Sequence, residues 1–244
     1  MKVALDVGGV IYFDEPFEVA WVQEVFDAAR AEDGSFTLER LRADLRSFHR
    51  AEGGGAFRAP LAHPSWLRVR DRWNDLKQPI PGSVEAVAAL AERYAICVVA
   101  NQPEECLHAL DGLGLIDLFA EIVLDSLVGY AKPDPALLAY ACTGLAWDPA
   151  DVLVVGNRVD HDVVPALALG CPVAFVLPQS GWEVPDWVHP DVAAVHRAVR
   201  PLRPVLPAHL EAKVGYVTAD LAGLAAILTG DAGAGVTPGA GRGR

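Results

Sequence analysis

The residues best suited to chemistry lie just beyond short apolar runs. "KVALD" ends at Asp6 and is followed by Gly8 and Gly9, while "AICVV" ends at Val99, ahead of Ala100 and Asn101. "DVLVV" ends at Val155, ahead of Asn157, Arg158, Asp160 and Asp162, and Lys132 lies in the loop beyond the run "EIVL". A carboxylate can act as a nucleophile, a lysine offsets negative charge, and acids or amide oxygens can hold a divalent cation. Gathered at one edge, that set suits an anionic substrate. Taken singly, each residue has a plainer explanation, because Asp and Asn often close turns and a lone Lys is usually a solvated charge. Whether they meet depends on the elements that carry them.

Five apolar runs, the four above and "PVAFVL" ending at Leu177, are strand length and nearly continuous in apolar character. Parallel strands covered on both faces read this way. Helix signals fall between them. Ser83 follows Pro81 and Gly82 and precedes Val84, Val87, Ala88 and Ala91 at helical spacing, which makes it the expected N-cap. In "KPDPALLAYA", Asp134 is placed to cap and Pro135 to occupy the first helical position, and Gly170 can close a helix beginning near Asp162. Alternation of this kind predicts an α/β fold, a Rossmann-like doubly wound parallel sheet. Ligands then bind outside the carboxyl ends of the strands, where the residues above would sit.

One connection is too long for a simple crossover. About seventy residues separate the first run from Pro81, more than a structureless loop in a compact domain. "FEVAWVQEVFDAARA" and "TLERLRADLRSFHRA" carry apolar residues at helical spacing, so 15–79 is expected to be a small inserted helical domain and 1–14 with 80–229 the α/β core. A Pro- and Trp-dense stretch follows Leu177, and the small-residue tail 230–244 is expected to be disordered.

The chain has 244 residues, 52% hydrophobic and 21% charged, enough to bury a sizeable core, and a net charge of −12. Such a balance argues against nucleic acid or anionic membrane as a partner, since both are bound through clustered Lys and Arg. No apolar stretch reaches bilayer length and no signal-peptide pattern is seen, so the expectation is a cytoplasmic protein, monomer or homodimer, acting on a small molecule. Cys97, Cys106, Cys142 and Cys171 are widely spaced in apolar segments without a CxxC pair, the pattern of buried reduced thiols and not of a zinc site.

In order and spacing, "LDVGGVIYFD", "IPGSVEAVAAL", "VVANQ", "IDLFAEIVLDSLVGYAKPDPALLAYA" and "DVLVVGNRVDHDVVPALALGCPVAFV" together resemble the motifs of the haloacid dehalogenase-like (HAD) hydrolases. The helical insertion falls where one subgroup of that family carries its cap. The resemblance implies that Asp6 is a nucleophile forming a covalent aspartyl intermediate and that Lys132 offsets charge on it and on the substrate. It also implies Mg²⁺ held by Asp6, the Gly8 backbone carbonyl and the fourth-motif positions Asn157 and Asp162. Asn101, Gly9, Ala100 and Arg158 fall at positions that would contact the substrate.

Three positions depart from the family pattern. Gly8 stands where phosphatases carry a second Asp that protonates the leaving group, help that contributes about 10² to 10⁴ in rate. Ala100 replaces a hydroxyl that donates to the phosphoryl oxygens. Asn157 replaces an acidic metal ligand. The first reading is therefore a HAD-like hydrolase of a small phosphorylated or anionic metabolite, phosphatase-like, with Asp14, Glu104 or Asp160 as substitute acid. The alternatives are metal-independent, dehalogenase-type chemistry, or a pseudoenzyme that binds a ligand or partner, in which the Arg158 fork grips an anion unless it pairs with a nearby acid.

Overall fold

A computed structural model describes residues 1–52, 55–200 and 205–230. The described residues form two compact units, one of 1–13, 79–180 and 205–230, the other of 14–52, 55–78 and 181–200.

The first unit is built on a six-stranded sheet. Its strands are β1 (Lys2–Leu5), β4 (Ile96–Ala100), β5 (Phe119–Leu124), β6 (Val152–Gly156), β7 (Val173–Val176) and β8 (Tyr216–Thr218), in the order β5-β4-β1-β6-β7-β8. All pairings are parallel. The five expected strands are present; β8 is the addition, a three-residue edge strand too short to stand out in the sequence. The two-residue strands β2 (Tyr12–Phe13) and β3 (Gln78–Pro79) pair separately, where the chain leaves this unit and returns to it.

Register sets the site. β1 lies between β4 and β6, with Leu5 opposite Val98 on one side and Val155 on the other, and Asp6 N–H donates to Val155 O at 2.9 Å. The carboxyl ends of β1, β4 and β6 therefore lie side by side. Ala4, Cys97, Val99 and Val154 pack under Leu137 and Leu138 of helix Ala136–Gly144, while helix Leu221–Thr229 packs on helix Ser83–Ala91. The four cysteines are buried and free, and burial pushes the Cys97 and Cys171 thiols up to about 12, which leaves them unreactive.

Ser83 does not cap its helix. It is the first helical residue, and its buried hydroxyl donates to Ile11 O at 2.7 Å, tying the helix to the segment after β1. The Gly82 backbone, at φ +76°, leads into the helix with no side-chain cap. Pro135 takes the N-cap position and not the first helical one, so the helix starts one residue later than expected, and Asp134, just ahead of the cap, still accepts from Ala136 N–H at 2.9 Å.

The second unit contains helices Glu15–Glu32, Leu38–His49, Ala59–Arg70 and Trp73–Leu76, and also helix Pro190–Val199. The sequence reading placed 181–202 with the α/β core. Instead, Val192 and Val195 join a cluster with Val22, Val25, Phe26, Phe36, Leu41 and Leu45, which needs this last helix to close it. Within the expected tail, 231–244 lie outside the described residues. Among the described residues, no helix is long and apolar enough to cross a membrane.

The buried Ser83–Ile11 bond leads to a stability prediction. Ser83→Ala should cost about 1 kcal/mol in urea unfolding, because the Ser83 bond to Ile11 O is lost while the Ile80 N–H, at 2.9 Å, still donates to that carbonyl. A helix cap would tolerate Asp, so Ser83→Asp separates the two roles: it should be worse than Ala here.

Candidate active site

Lys132 Nζ lies 2.9 Å from Asp6 Oδ1 and 2.6 Å from Asp162 Oδ1. Its side chain is 8% exposed and that of Asp162 1%, so the three charges face one another with little water between them. Burial pulls the Lys132 pKa down, but the carboxylates of Asp162 and Asp6 outweigh it and hold the ammonium above its ordinary value. It is a fixed cation at neutral pH.

Each member is placed by a separate device. Asn101, just past β4, clamps the Lys132 backbone from both sides: its Nδ2 donates to Lys132 O at 2.9 Å and its Oδ1 accepts from Lys132 N–H at 2.8 Å. Its amide therefore positions the lysine. Asp162 sits in one turn of π-helix, Val159–Val163, and its Oδ2 accepts from the N–H groups of Asn157 (3.0 Å) and Arg158 (2.9 Å). Both Asp162 oxygens are thus engaged. The carboxylate comes so close to Gly156 that a Cβ there would lie 2.2 Å from Asp162 Cγ, so only glycine fits. Gly9 adopts φ +73° and donates to Tyr12 O at 2.7 Å, turning the chain directly after β1.

The other expected site residues behave differently. Ala100 closes β4, is fully buried and offers only a methyl group. Arg158 forks Asp160 with Nη2 at 2.9 Å and Nε at 3.3 Å, both side chains exposed, and this pairing outweighs burial to hold Asp160 below the usual carboxylate range. The fork is thereby committed to a neighbouring acid. Asp14 pairs with Lys77 at 3.0 Å in the second unit. His161 Nδ1 lies 2.9 Å from Asp160 Oδ2 but out of line for a hydrogen bond, and burial and Arg158 keep the ring below its ordinary pKa.

Asn157 is fully buried, and neither Oδ1 nor Nδ2 finds a partner among the described residues. An orphaned amide at this depth is costly unless something else satisfies it. Among the described residues, no three His, Cys, Asp or Glu side chains are grouped to hold a metal ion. Of the ligands expected for a cation, Asp162 has both oxygens engaged, which leaves the Asp6 carboxylate, the Gly8 carbonyl and the Asn157 amide oxygen. Those are hard oxygen ligands of the kind Mg²⁺ takes, with one formal charge among them, so they fit a weakly held ion.

Two features were not picked out from the sequence. Asp125, next after β5, accepts from Gln102 N–H at 2.8 Å and so steadies the turn that carries Asn101; burial raises its pKa. Its place directly after a strand was the available signal. A cavity of about 10 Å³ lies among Asp6, Lys132, His161, Asp162, Leu138 and Val154, room for about one water.

A family model of haloacid dehalogenase-like hydrolases matches residues 3–170, more than half of the chain and all of the site above. The chain belongs to that family. A phosphoglycolate phosphatase of Haemophilus influenzae is 31% identical over 121 residues, covering 46% of this chain and 54% of that protein. The chain spans about half the length of the curated relatives it matches. A HAD phosphatase from Thermococcus onnurineus shares the fold at TM-score 0.62 and 19% identity, over 84% of this chain and all of that one. L-2-haloacid dehalogenase from Xanthobacter autotrophicus, with chloropropionic acid covalently bound, does so at TM-score 0.58 and 20% identity, over 95% and 99% of the two chains. This HAD-family site thus sits on a fold that neighbours use for more than one chemistry.

Two outcomes follow from the geometry. Gly156→Ala should lose about 1–3 kcal/mol in stability, through the collision with Asp162. Lys132→Met should cost about 3 kcal/mol at pH 7, because it removes the counter-charge that Asp6 and Asp162 share. Folding raises the Lys132 pKa above its ordinary 10.5, so its contribution is complete below that value and falls away as pH climbs beyond it. Alkaline unfolding curves should show this loss in the wild type and not in Lys132→Met.

Proposed function

We propose that this HAD-family chain is a phosphatase-type hydrolase of a small phosphorylated or otherwise anionic metabolite, with Asp6 as nucleophile. The observation that carries the reading is the Lys132 ammonium held against Asp6 and Asp162 at the adjoining ends of β1 and β6. An Asp6 oxygen would attack the electrophilic centre of the substrate as the leaving group departs with its electron pair. Water would then hydrolyse the aspartyl intermediate and restore the carboxylate. Lys132 draws the anionic group toward Asp6 and offsets charge in the transition state. Asn101 and Asp162 hold that lysine in place, and Asp162 also orders the turn at Asn157 and Arg158.

The substitute for the acid missing at Gly8 is narrowed by these pairings. Asp160 is held by Arg158 and Asp14 by Lys77, so neither carboxylate is spare for proton transfer in this arrangement. Glu104, exposed in the turn after β4, is the candidate that remains, and substrates with good leaving groups, which need little protonation, should depend on it least. Mg²⁺, held by Asp6, Gly8 and Asn157, would supply further charge neutralisation at the substrate oxygens. The lone formal charge among those ligands also favours a second reading, metal-independent chemistry in which Lys132 is the main cation. A pseudoenzyme that retains a ligand pocket is the remaining alternative.

Turnover of a panel of phosphate esters and haloacids, with Mg²⁺ and with EDTA, tests the reading. Activity should be highest on aryl or acyl phosphates and should disappear in Asp6→Asn. Equal background rates in wild type and Asp6→Asn across the panel would leave the pseudoenzyme. Calorimetric Mg²⁺ titration should give weak binding that tightens by about tenfold or more in Asn157→Asp, which restores a charged ligand; activity indifferent to EDTA would favour the metal-free reading.

A further inference from the structure

The second unit is made of two separate stretches, so it has four ends: near Asp14, Gln78, Gly181 and Arg200. Three sets of polar ties, all inside this unit, connect those ends in sequence. Lys77 Nζ pairs with Asp14 Oδ1 at 3.0 Å, with the lysine lying over the Trp73 ring at 3.9 Å, which joins the first end to the second. Gln78 and Glu183 exchange two hydrogen bonds, Gln78 Nε2 to Glu183 O at 2.8 Å and Glu183 N–H to Gln78 Oε1 at 2.7 Å, which joins the second to the third. Arg200 reaches back to the first helix, Nη2 to Glu15 Oε1 at 2.7 Å and Nε to Glu18 Oε2 at 2.9 Å, which joins the fourth to the first.

We propose that these ties form a clasp, and that 181–200 is a strap which Arg200 latches onto the helical unit. The hydrophobic cluster alone would bury Val192 and Val195, but apolar contact is non-directional and leaves the ends of the strap loose. The Arg200 fork supplies direction, because two planar donors meet carboxylates on successive turns of one helix. Glu15 is 4% exposed at its side chain, its Oε1 meets the arginine and its Oε2 has no hydrogen-bond partner among the described residues, so the arginine is its counter-ion in this structure. Inside the strap, His196 Nε2 lies 3.5 Å from the same Glu18, Trp182 packs edge-on to the His196 ring, and His189 N–H donates to Gln23 Oε1 at 2.8 Å. The latch makes one body of two stretches that are distant in sequence, and its release would free the strap before the rest of the unit loosens.

Hydrogen exchange on the full chain, resolved by segment, tests this. In wild type, amides of Pro190–Val199 should be protected to a similar degree as those of Glu15–Glu32. In Arg200→Met, exchange across 182–199 should rise at least tenfold while β1, β4 and β6 stay within about twofold of wild type. Gln78→Ala, which strands no charge, should speed exchange around Glu183 and leave β1 and β6 unchanged. If Arg200→Met does not fold, Arg200→Lys, which keeps the charge and loses the fork, should give the same pattern with a smaller rise. A strap whose exchange is unchanged in these variants, or a rise spread evenly over strap and sheet, would overturn the proposal.

Discussion

Lys132 Nζ stands between Asp6 and Asp162, and the geometry around it constrains most of the α/β unit. Two carboxylates at the ends of neighbouring strands would repel one another if water were their only relief. A buried ammonium within 3 Å of each removes the repulsion and fixes their spacing, provided that it is held where it cannot swing away. The Asn101 clamp on its backbone meets that condition, and Asp125 steadies the turn that carries Asn101. The requirement reaches further still. Gly156 must lack a Cβ, Asp162 must sit in a widened helical turn, and β1 must lie between β4 and β6.

The same arrangement sets the chemistry available. With the lysine's charge shared by two carboxylates, the site keeps about one net negative charge before a substrate arrives. The anionic substrate of the proposed function would then depend on whatever further positive charge or donors can be supplied. Ala100 supplies none, and Arg158 is bound to Asp160. The buried amide of Asn157 is the notable unspent group, able either to donate through Nδ2 or to offer Oδ1 to a cation. Under the proposed function, that amide bears on how charge on the reacting group is balanced.

The helical unit illustrates a different constraint. Its apolar cluster needs Val192 and Val195 from a stretch more than a hundred residues beyond the helices they pack on. Burial drives that association, while the ion pairs and amide clamp at the four ends give it a unique alignment. A unit made of discontinuous stretches is held by contacts that no single stretch contains.

What the sequence determined by itself was local or patterned. Continuous apolar runs marked five of the six sheet strands, helical spacing marked the insertion, and the order of Asp6, Asn101, Lys132 and Asp162 marked the family and the edge where they meet. These are legible because strand and helix periodicities repeat within a few residues. The three-residue β8 and the buried hydroxyl of Ser83 escaped, the first for want of length and the second because a Ser before an apolar periodic stretch looks the same whether it caps or bonds elsewhere. Tertiary structure alone decided that Asn101 spends its amide on Lys132, that Arg158 turns to Asp160, and that 181–200 belongs with the helical unit. Each of these is a choice among partners made in space. Asp6 and Lys132 are 126 positions apart, Gln78 and Glu183 105, and Glu18 and Arg200 182; which groups meet over such separations is set by how strands and helices pack, not by any pattern along the chain.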